Sequence, residues 1–227
     1  MSDAAMSDVD AYLETTRAVY DTVAVSYERI LRDELDGKPL DRAMLAAFAE
    51  LVRGPGGGPV ADLGCGPGRV TAHLRALGVE DVCGIDLSPE MVAVARRTHP
   101  GLRFTEGSMT ALDLADDSLR GALVWYSTVH TPPEILPTVF AECHRVLAPG
   151  GHMLLGFKVG DQKWRRDQAY GHTVSFDVYW RDPDLVADLL VQAGLVVDAR
   201  MIREPDETER PTQGRQASFL AHKPATA

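Results

Sequence analysis

The chain has 227 residues, of which 45% are hydrophobic and 25% charged, so it fits one α/β domain with a small cap and would crowd two full domains. Its net charge of −10 argues against non-specific nucleic-acid binding, which needs a basic surface. No apolar run reaches the length of about 18 residues that a membrane helix needs. Met1–Asp10 lacks the basic and apolar regions of a signal peptide, and the three cysteines are far apart. We therefore expect a cytoplasmic protein without disulfides or a metal site.

The N-terminal part is predicted to be helical. After a disordered tail over residues 1–8, apolar side chains recur at spacings of three and four as far as Val52, with a break at Asp36–Pro39. We interpret residues 9–53 as an N-terminal helical cap. A run rich in glycine and proline over residues 54–59 ends this segment.

From residue 60 onward, short apolar strands alternate with amphipathic helices. This alternation predicts an α/β fold with a doubly wound, mostly parallel seven-stranded sheet. The predicted strands are Val60–Leu63, Val79–Asp86, Leu102–Phe104, Gly121–Tyr126, Met153–Phe157, Val196–Ile202 and Gln216–His222. The last two have no helix between them, so we expect an antiparallel C-terminal hairpin. The domain would span residues 54–223 with a lid insertion at 158–182, and a short tail would follow at 224–227.

The first strand runs into a loop with glycines at alternate positions, Gly64, Gly66 and Gly68. Glycine allows the backbone to turn sharply and lie against a ligand, and the N-terminus of the next helix favours an anionic or polar group. Asp86 stands 22 residues after Gly64, at the end of the second strand. An acid there accepts hydrogen bonds from ribose hydroxyls in dinucleotide-binding folds. The alternative is that Asp86 only caps the helix that starts after Ser88.

Four segments together resemble the class I S-adenosylmethionine-dependent methyltransferases, in particular the small-molecule "type 11" group. These segments are Asp62–Gly68, Gly84–Met91, Glu106–Met109 and Arg145–Gly151. The resemblance implies S-adenosyl-L-methionine as the cofactor. It also implies a cofactor site formed by Tyr27, Asp62, Gly64, Gly66, Gly68, Asp86, Leu87, Met91, Ser108, Met109 and Tyr126. Ser108 departs from the family pattern, which usually has an aspartate there, and its uncharged oxygen would accept a weaker bond from the adenine amino group.

Candidate residues for the acceptor lie in the cap and after the fourth strand. Tyr20 and Tyr27 are seven positions apart and so share one helical face. Periodicity alone fits core packing, whereas the resemblance implies that these tyrosines close over cofactor and acceptor. His130 follows the fourth strand and is our candidate for a catalytic base that also contacts the substrate, because an imidazole titrates near neutral pH. The alternative is a structural loop histidine.

The insertion at 158–182 carries five aromatic residues within 17 positions, which predicts a lid that excludes water from a cleft. Its candidate substrate-binding residues are Trp164, His172 and Trp180. The alternative is that the aromatic side chains only fix a long loop to the body. The basic residues Lys163, Arg165 and Arg166 either attract an acidic acceptor or form a solvated face.

The sequence thus predicts a methyltransferase that acts on an oxygen, nitrogen or sulfur atom of a small, aromatic or apolar molecule. It would work as a monomer or homodimer, with no nucleic acid and no membrane as partner. One alternative is a non-catalytic S-adenosylmethionine-binding protein that acts as a sensor or partner subunit. A second is a nicotinamide-dependent oxidoreductase, although the loop is Gly-x-Gly-x-Gly and lacks the longer Gly-x-Gly-x-x-Gly spacing.

Overall fold

The structure is a computed structural model that describes residues 3–54, 57–207, 209 and 214–225. Its helices are α1 (Asp3–Leu31), α2 (Pro39–Val52), α3 (Arg69–Ala76), α4 (Pro89–Thr98), α5 (Leu136–Val146) and α6 (Pro183–Gln192), with a short 3-10 helix at Glu34–Gly37. Its strands are β1 (Val60–Leu63), β2 (Val82–Asp86), β3 (Arg103–Glu106), β4 (Leu119–Trp125), β5 (Leu147–Lys158), β6 (Lys163–Ala169), β7 (His172–Tyr179), β8 (Val196–Arg203) and β9 (Gln216–His222). Among the described residues, no helix is long and apolar enough to cross a bilayer.

Seven strands form one sheet in the order β3-β2-β1-β4-β5-β9-β8. Strand β1 is parallel to both β2 and β4, and β9 is antiparallel to both β5 and β8. The predicted doubly wound sheet with an antiparallel C-terminal hairpin is therefore confirmed. The strand order reverses between β1 and β4, and the carboxyl ends of parallel strands open a crevice at such a point.

Apolar clusters cover both faces of the sheet, as a sheet of buried parallel strands requires. Helix α5 contributes Phe140 to one face, and α2 contributes Phe48 to the other. We had grouped α2 with the N-terminal cap, but its buried Leu45, Phe48 and Val52 pack in the same cluster as the β4 residue Leu123. Helix α2 therefore packs on the sheet, and the crevice is covered by α1 together with the insertion after β5.

Helix α1 begins at Asp3, inside the stretch where we predicted a disordered tail. Its buried residues Val19 and Val23 pack against Met91 of α4 and Val174 of β7. The insertion is a two-stranded antiparallel hairpin, β6–β7, that turns at residues 170 and 171. The predicted lid is thus a regular hairpin whose second strand packs on α1.

Candidate functional site

Two cavities meet at the carboxyl ends of β1 and β4. Cavity A, of about 80 Å³, lies between the glycine loop, the end of β2 and α1. Cavity B, of about 470 Å³, lies between α1, the hairpin β6–β7 and the end of β5. The residues that line both cavities are Tyr20, Tyr27, Arg69 and Tyr126. A ligand in one cavity would therefore share these side chains with a ligand in the other.

The three glycines of the loop after β1 differ in the space around them. Gly64 and Gly68 adopt φ values of 71° and 82°. A Cβ on Gly64 would lie 2.3 Å from the Cβ of Ser127, and a Cβ on Gly68 would lie 2.6 Å from the ring of Phe104. At Gly66 the nearest atom to an added Cβ would be on the Tyr27 ring at 3.9 Å. Gly64 and Gly66 line cavity A, whereas Gly68 packs against β3 at the start of α3 and lies outside the lining.

Asp86 joins the glycine loop to the end of β2. Its Oδ2 accepts the N–H of Gly66 at 2.7 Å, and its Oδ1 accepts the N–H of Ser88 at 2.9 Å. Burial raises the pKa of this carboxyl group, and hydrogen bonds from the backbone, above all those of Ser88 and Gly66, oppose the shift. A carboxylate has about four lone-pair positions, so about two remain for the donors of a ligand in cavity A. Asp86 therefore caps the following turn and lines the cavity as well.

Asp62 places a second carboxylate in cavity A. It is 1% exposed, and its Oδ2 accepts the hydroxyl of Thr71 at 2.6 Å. Burial raises the pKa of Asp62 to about 7, although the Thr71 hydroxyl and the charge of Arg69 oppose that rise. The lining of cavity A thus has two carboxylates, on Asp62 and Asp86, and one cation, Arg69. This balance favours a ligand that carries positive charge.

The other predicted cofactor residues have different positions. Leu87, Ser108 and Met109 line cavity A. The Ser108 hydroxyl makes a 2.8 Å hydrogen bond with the hydroxyl of Thr110, which we had not predicted as part of the site. Met91 has no exposed surface and lies in the cluster under α1, so it supports that helix and does not line the cavity.

Tyr126 follows β4 directly and has a φ of 56°, a left-handed conformation that is costly for a bulky residue. Its N–H donates to the carbonyl of Gly156 at 2.9 Å, and its ring packs edge-on against Trp125 with centroids 5.2 Å apart. These contacts with β4 and β5 hold the ring where it lines both cavities. Backbone strain of this kind is concentrated at functional sites.

His130 lines cavity B and has a partner on each ring nitrogen. Its Nδ1 lies 2.7 Å from the carbonyl oxygen of Asp177, and its Nε2 lies 2.8 Å from the Tyr20 hydroxyl. Because a carbonyl only accepts, we assign the proton to Nδ1, so that Nε2 accepts from Tyr20 in the neutral ring. Burial lowers the pKa of His130 to about 4 and raises the pKa of Tyr20. At pH 7 the ring is therefore neutral and the tyrosine is protonated.

The insertion at 158–182, which contains the hairpin, contributes unequally to cavity B. Trp180 lines it, whereas Trp164 is 48% exposed and lies beside Trp180 outside both linings. His172 makes a 2.9 Å hydrogen bond with the Ser26 hydroxyl of α1, so it fastens the hairpin to the cap. Tyr170, at the turn, packs on Tyr27 with ring centroids 4.8 Å apart. The predicted lid residues thus divide between the cavity wall and the contact with α1.

Several lining residues were missed by the sequence analysis. Arg69 comes directly after Gly68, and Lys158 is the last residue of β5. Both could have been predicted, because the glycine loop and the carboxyl ends of central strands border the crevice of such a sheet. Asp21 was also missed. It accepts the hydroxyl of Ser88 at 2.5 Å and thereby joins α1 to the start of α4.

The fold and cavity A together define a class. A doubly wound seven-stranded sheet with an antiparallel last strand, a glycine loop after β1 and an acid at the end of β2 is the arrangement of class I S-adenosylmethionine-dependent methyltransferases. Sequence comparison agrees, because a family model described as a methyltransferase domain matches residues 60–151. Residues 60–151 are therefore similar to a methyltransferase domain, and the sheet that contains them has the fold of such domains.

Individual proteins with similar sequences or folds are distant. Demethylmenaquinone methyltransferase from Chlorobaculum parvum is 35% identical over 40% of this chain and 37% of its own length. Magnesium protoporphyrin IX methyltransferase from Synechocystis PCC 6803, solved with bound S-adenosylmethionine, has a TM-score of 0.71 and 15% identity, with 93% of this chain and 97% of that chain covered. The [4+2]-cyclase SpnF has a TM-score of 0.70 and 15% identity, with 94% and 97% covered. The chain spans between 37% and 55% of the length of the first curated relatives it matches.

Proposed function

We propose that the chain binds S-adenosyl-L-methionine in cavity A and transfers its methyl group to an oxygen, nitrogen or sulfur atom of a small molecule in cavity B. The observation that carries this proposal is the shared wall of the two cavities. A methyl donor and an acceptor must approach closely, and Tyr20, Tyr27 and Tyr126 border both cavities at one place.

The residues of cavity A fit this cofactor. Ser127 Oγ and Arg69 Nη1 are buried polar atoms that have no hydrogen-bond partner among the residues described in the structure, and both side chains line cavity A. Asp86 has lone pairs left for hydroxyl groups, and Gly66 leaves space in front of the loop. The two carboxylates of the lining complement the positive charges of an ammonium and a sulfonium group.

When bound, S-adenosyl-L-methionine supplies an electrophilic methyl group on a sulfonium centre. The chain's own contribution is then to position the acceptor and exclude water. The aromatic rings of Tyr20, Tyr27 and Tyr126 in the shared wall would also stabilise the positive charge of the methyl donor, because the face of a tyrosine ring attracts a nearby cation. Helix α1 and the hairpin cover the cavities from the solvent side and touch each other through Tyr27 and Tyr170.

We propose His130 as the proton acceptor, acting through Tyr20. A proton that leaves the methyl-accepting substrate would pass to the Tyr20 hydroxyl oxygen. At the same time the proton of the Tyr20 hydroxyl would move to His130 Nε2. The carbonyl of Asp177 would continue to hold Nδ1–H in the imidazolium that forms. A base with a pKa of about 4 is weak. It is sufficient for an acceptor oxygen, because an oxygen that gains a methyl group becomes strongly acidic.

Calorimetric titration with S-adenosylhomocysteine tests the cofactor assignment. We expect binding by the native chain and roughly 10- to 100-fold weaker binding by Asp86→Asn, because a charged hydrogen-bond acceptor is lost. No binding by the native chain, or tight binding of a nicotinamide cofactor in its place, would refute the proposal. Turnover is then measured with radiolabelled methyl donor and a broad acceptor panel. Cofactor binding without any turnover would favour the non-catalytic alternative.

We further propose that the acceptor is a small molecule and that nucleic acid is not a partner. The net charge of −10 and the volume of cavity B, about 470 Å³, support this. We also propose a division of the chain into parts. In it, α2 belongs to the methyltransferase body, α1 is a cap over that body, and the hairpin β6–β7 is a lid inserted into it. A cytoplasmic location and a monomeric or homodimeric state stay predictions from the sequence.

A further inference from the structure

His130 lies in a tight turn over residues 128–131, which follows β4. The N–H of Thr131 donates to the carbonyl of Thr128 at 3.0 Å and closes this turn. Both threonines are buried, with 0% and 1% of their surface exposed. Buried backbone carbonyls need hydrogen-bond donors from elsewhere in the chain. The donors that reach this turn therefore help to decide where the His130 ring lies.

Arg181 supplies a side-chain donor to both ends of the turn. Its Nη2 lies 2.8 Å from the carbonyl oxygen of Thr128 and 2.5 Å from that of Thr131. Because a guanidinium is planar and rigid, a nitrogen that bridges two carbonyls fixes their relative position. The N–H of Tyr179 donates to the carbonyl of Val129 at 2.8 Å. Three of the four carbonyl groups of the turn are thus held by Tyr179 and Arg181.

The position of Arg181 is itself fixed by its surroundings. The residue is 6% exposed, and its guanidinium carbon lies 5.5 Å from the centroid of the Tyr179 ring. Its N–H donates to the carbonyl of Lys158 at 2.8 Å, and its carbonyl accepts the N–H of Gly160 at 3.0 Å. Arg181 therefore connects the end of β5 to the turn that carries His130.

A cation is costly at the position of Arg181. Burial lowers its pKa to about 10, and the phenol groups of Tyr12 and Tyr179 oppose this shift. Its Nε and the hydroxyl oxygen of Thr128 are buried and have no hydrogen-bond partner among the residues described in the structure. The fold alone gives little return for this cost, whereas the contacts of Arg181 with the turn give a reason for it.

The ring of His130 has titratable neighbours on several elements. They are Tyr20 on α1, Lys158 on β5, Asp177 on β7 and Arg181 after β7. Burial lowers the pKa of His130, and the charges of Lys158 and Arg181 act in the same direction, whereas Asp177 opposes them. The neutral ring is thus favoured by the cation that also holds its turn.

We propose that Arg181 is a positioning residue, which through the turn holds the His130 ring between the Asp177 carbonyl and the Tyr20 hydroxyl. Arg181 lines neither cavity, so it acts through His130 and contacts neither ligand. The inference rests on the proposed function, because it takes His130 as the proton acceptor. It adds a buried residue outside both cavities to the machinery of the reaction.

NMR of isotope-labelled histidine reports the tautomer and the pKa of His130, and the spectrum of His130→Gln assigns its signals. We expect the Nδ1–H tautomer in the native chain. Arg181→Gln is neutral and too short to bridge both carbonyls. It should give a mixture of tautomers and raise the pKa of His130 by about 1 or more. Its kcat should be about 10- to 100-fold lower, with unchanged affinity for S-adenosylhomocysteine.

Two further variants separate positioning from a general loss of stability. Arg145 is the matched control, because its guanidinium also holds a loop through two carbonyls, those of Leu112 and Leu114. Arg145→Gln should lose stability and keep the native signals of His130. Arg181→Lys keeps the charge and loses the rigid bridge, so its tautomer mixture and kcat should lie between those of the native chain and Arg181→Gln. If Arg181→Gln does not fold, Arg181→Lys carries the test.

A native tautomer and pKa of His130 in the folded Arg181 variants would overturn the inference, whatever their stability. The same shift of the His130 signals in Arg145→Gln would also overturn it. The proposed function fails on other results, namely no binding of S-adenosylhomocysteine by the native chain or a native rate of methyl transfer by His130→Gln. Those results concern the cofactor and the base, whereas native His130 signals in the Arg181 variants refute only the role of Arg181.

Discussion

Asp62→Asn should separate the stability of the fold from the affinity for the cofactor. Burial raises the pKa of Asp62 from 3.8 to about 7 in the folded chain. The folded state therefore holds this proton more tightly than the unfolded state does. The stability from this group is fully present below pH 3.8 and is lost as pH rises through 7, and the difference corresponds to roughly 4 kcal/mol at most.

Asparagine is similar in shape, stays neutral at every pH and can still accept the Thr71 hydroxyl through its amide oxygen. We expect Asp62→Asn to raise the free energy of unfolding by about 1–4 kcal/mol at pH 8 and to have little effect at pH 4. Urea denaturation of the cofactor-free chain, followed by circular dichroism at pH 4, 6 and 8, measures this. Parallel stability profiles for the native chain and the variant would refute the titration assigned to Asp62.

The same substitution should act oppositely on cofactor binding. In the native chain the affinity for S-adenosylhomocysteine should increase from pH 6 to pH 8, because Asp62 becomes ionised and faces cavity A. The asparagine variant should bind more weakly and lose this pH dependence. Calorimetry across that range checks both points. A variant that binds as tightly as the native chain would show that Asp62 does not contact the ligand.

Other predictions concern the proton path, the buried ion pairs and the hairpin. Tyr20→Phe removes the hydroxyl that donates to His130. The kcat for a hydroxyl-bearing methyl acceptor should fall about tenfold or more, with unchanged cofactor affinity. An unchanged kcat would contradict proton transfer through Tyr20 to His130. Arg203→Met leaves Asp41 and Glu209 without their shared buried partner. It should cost about 3–5 kcal/mol in urea denaturation, and a loss below about 1 kcal/mol would show that these pairs are not coupled. Although burial alone would raise it, hydrogen bonds from Arg203 and Lys38 lower the pKa of Glu209 to about 2, so stability should be lost as pH falls from about 4.5 to 2. His172→Ala should speed amide hydrogen exchange in β7 and leave exchange in β4 unchanged. Equal protection of β7 in the native chain and in the variant would show that the His172–Ser26 hydrogen bond does not hold the hairpin on α1.

The sheet and the glycine loop could be predicted because their causes are local. Strand periodicity, the glycines and the acid at the end of β2 all act within about 25 residues, which one helix and two strands span. The partner of a helix face is a different matter. The apolar stripe of α2 showed that one side is buried, but nothing in the stripe distinguished the sheet from α1, so α2 was assigned to the wrong layer.

Site residues followed the same division. Gly64, Gly66 and Asp86, which backbone motifs single out, line cavity A, whereas Met91 faces α1 because the position of the cap decides which side of α4 is covered. The pairing of His172 with Ser26 spans 146 residues and depends on how the hairpin docks. Contacts across such distances leave no periodic signal. The alternation that separates the exposed Arg165 from Arg166, which lines cavity B, was present in the sequence and became informative only with the hairpin register.

Helix α1 gives the two cavities a common roof, since Tyr20 and Tyr27 border both. If the first ligand orders α1, its binding free energy includes the conformational entropy lost by α1. The second ligand then binds to an α1 that is already ordered and does not bear that cost. Occupancy of cavity A should therefore raise affinity at cavity B, and by linkage the acceptor must raise the affinity for the cofactor by the same factor. The joint position of these two tyrosines thus leads us to expect cooperative binding of ligands in the two cavities.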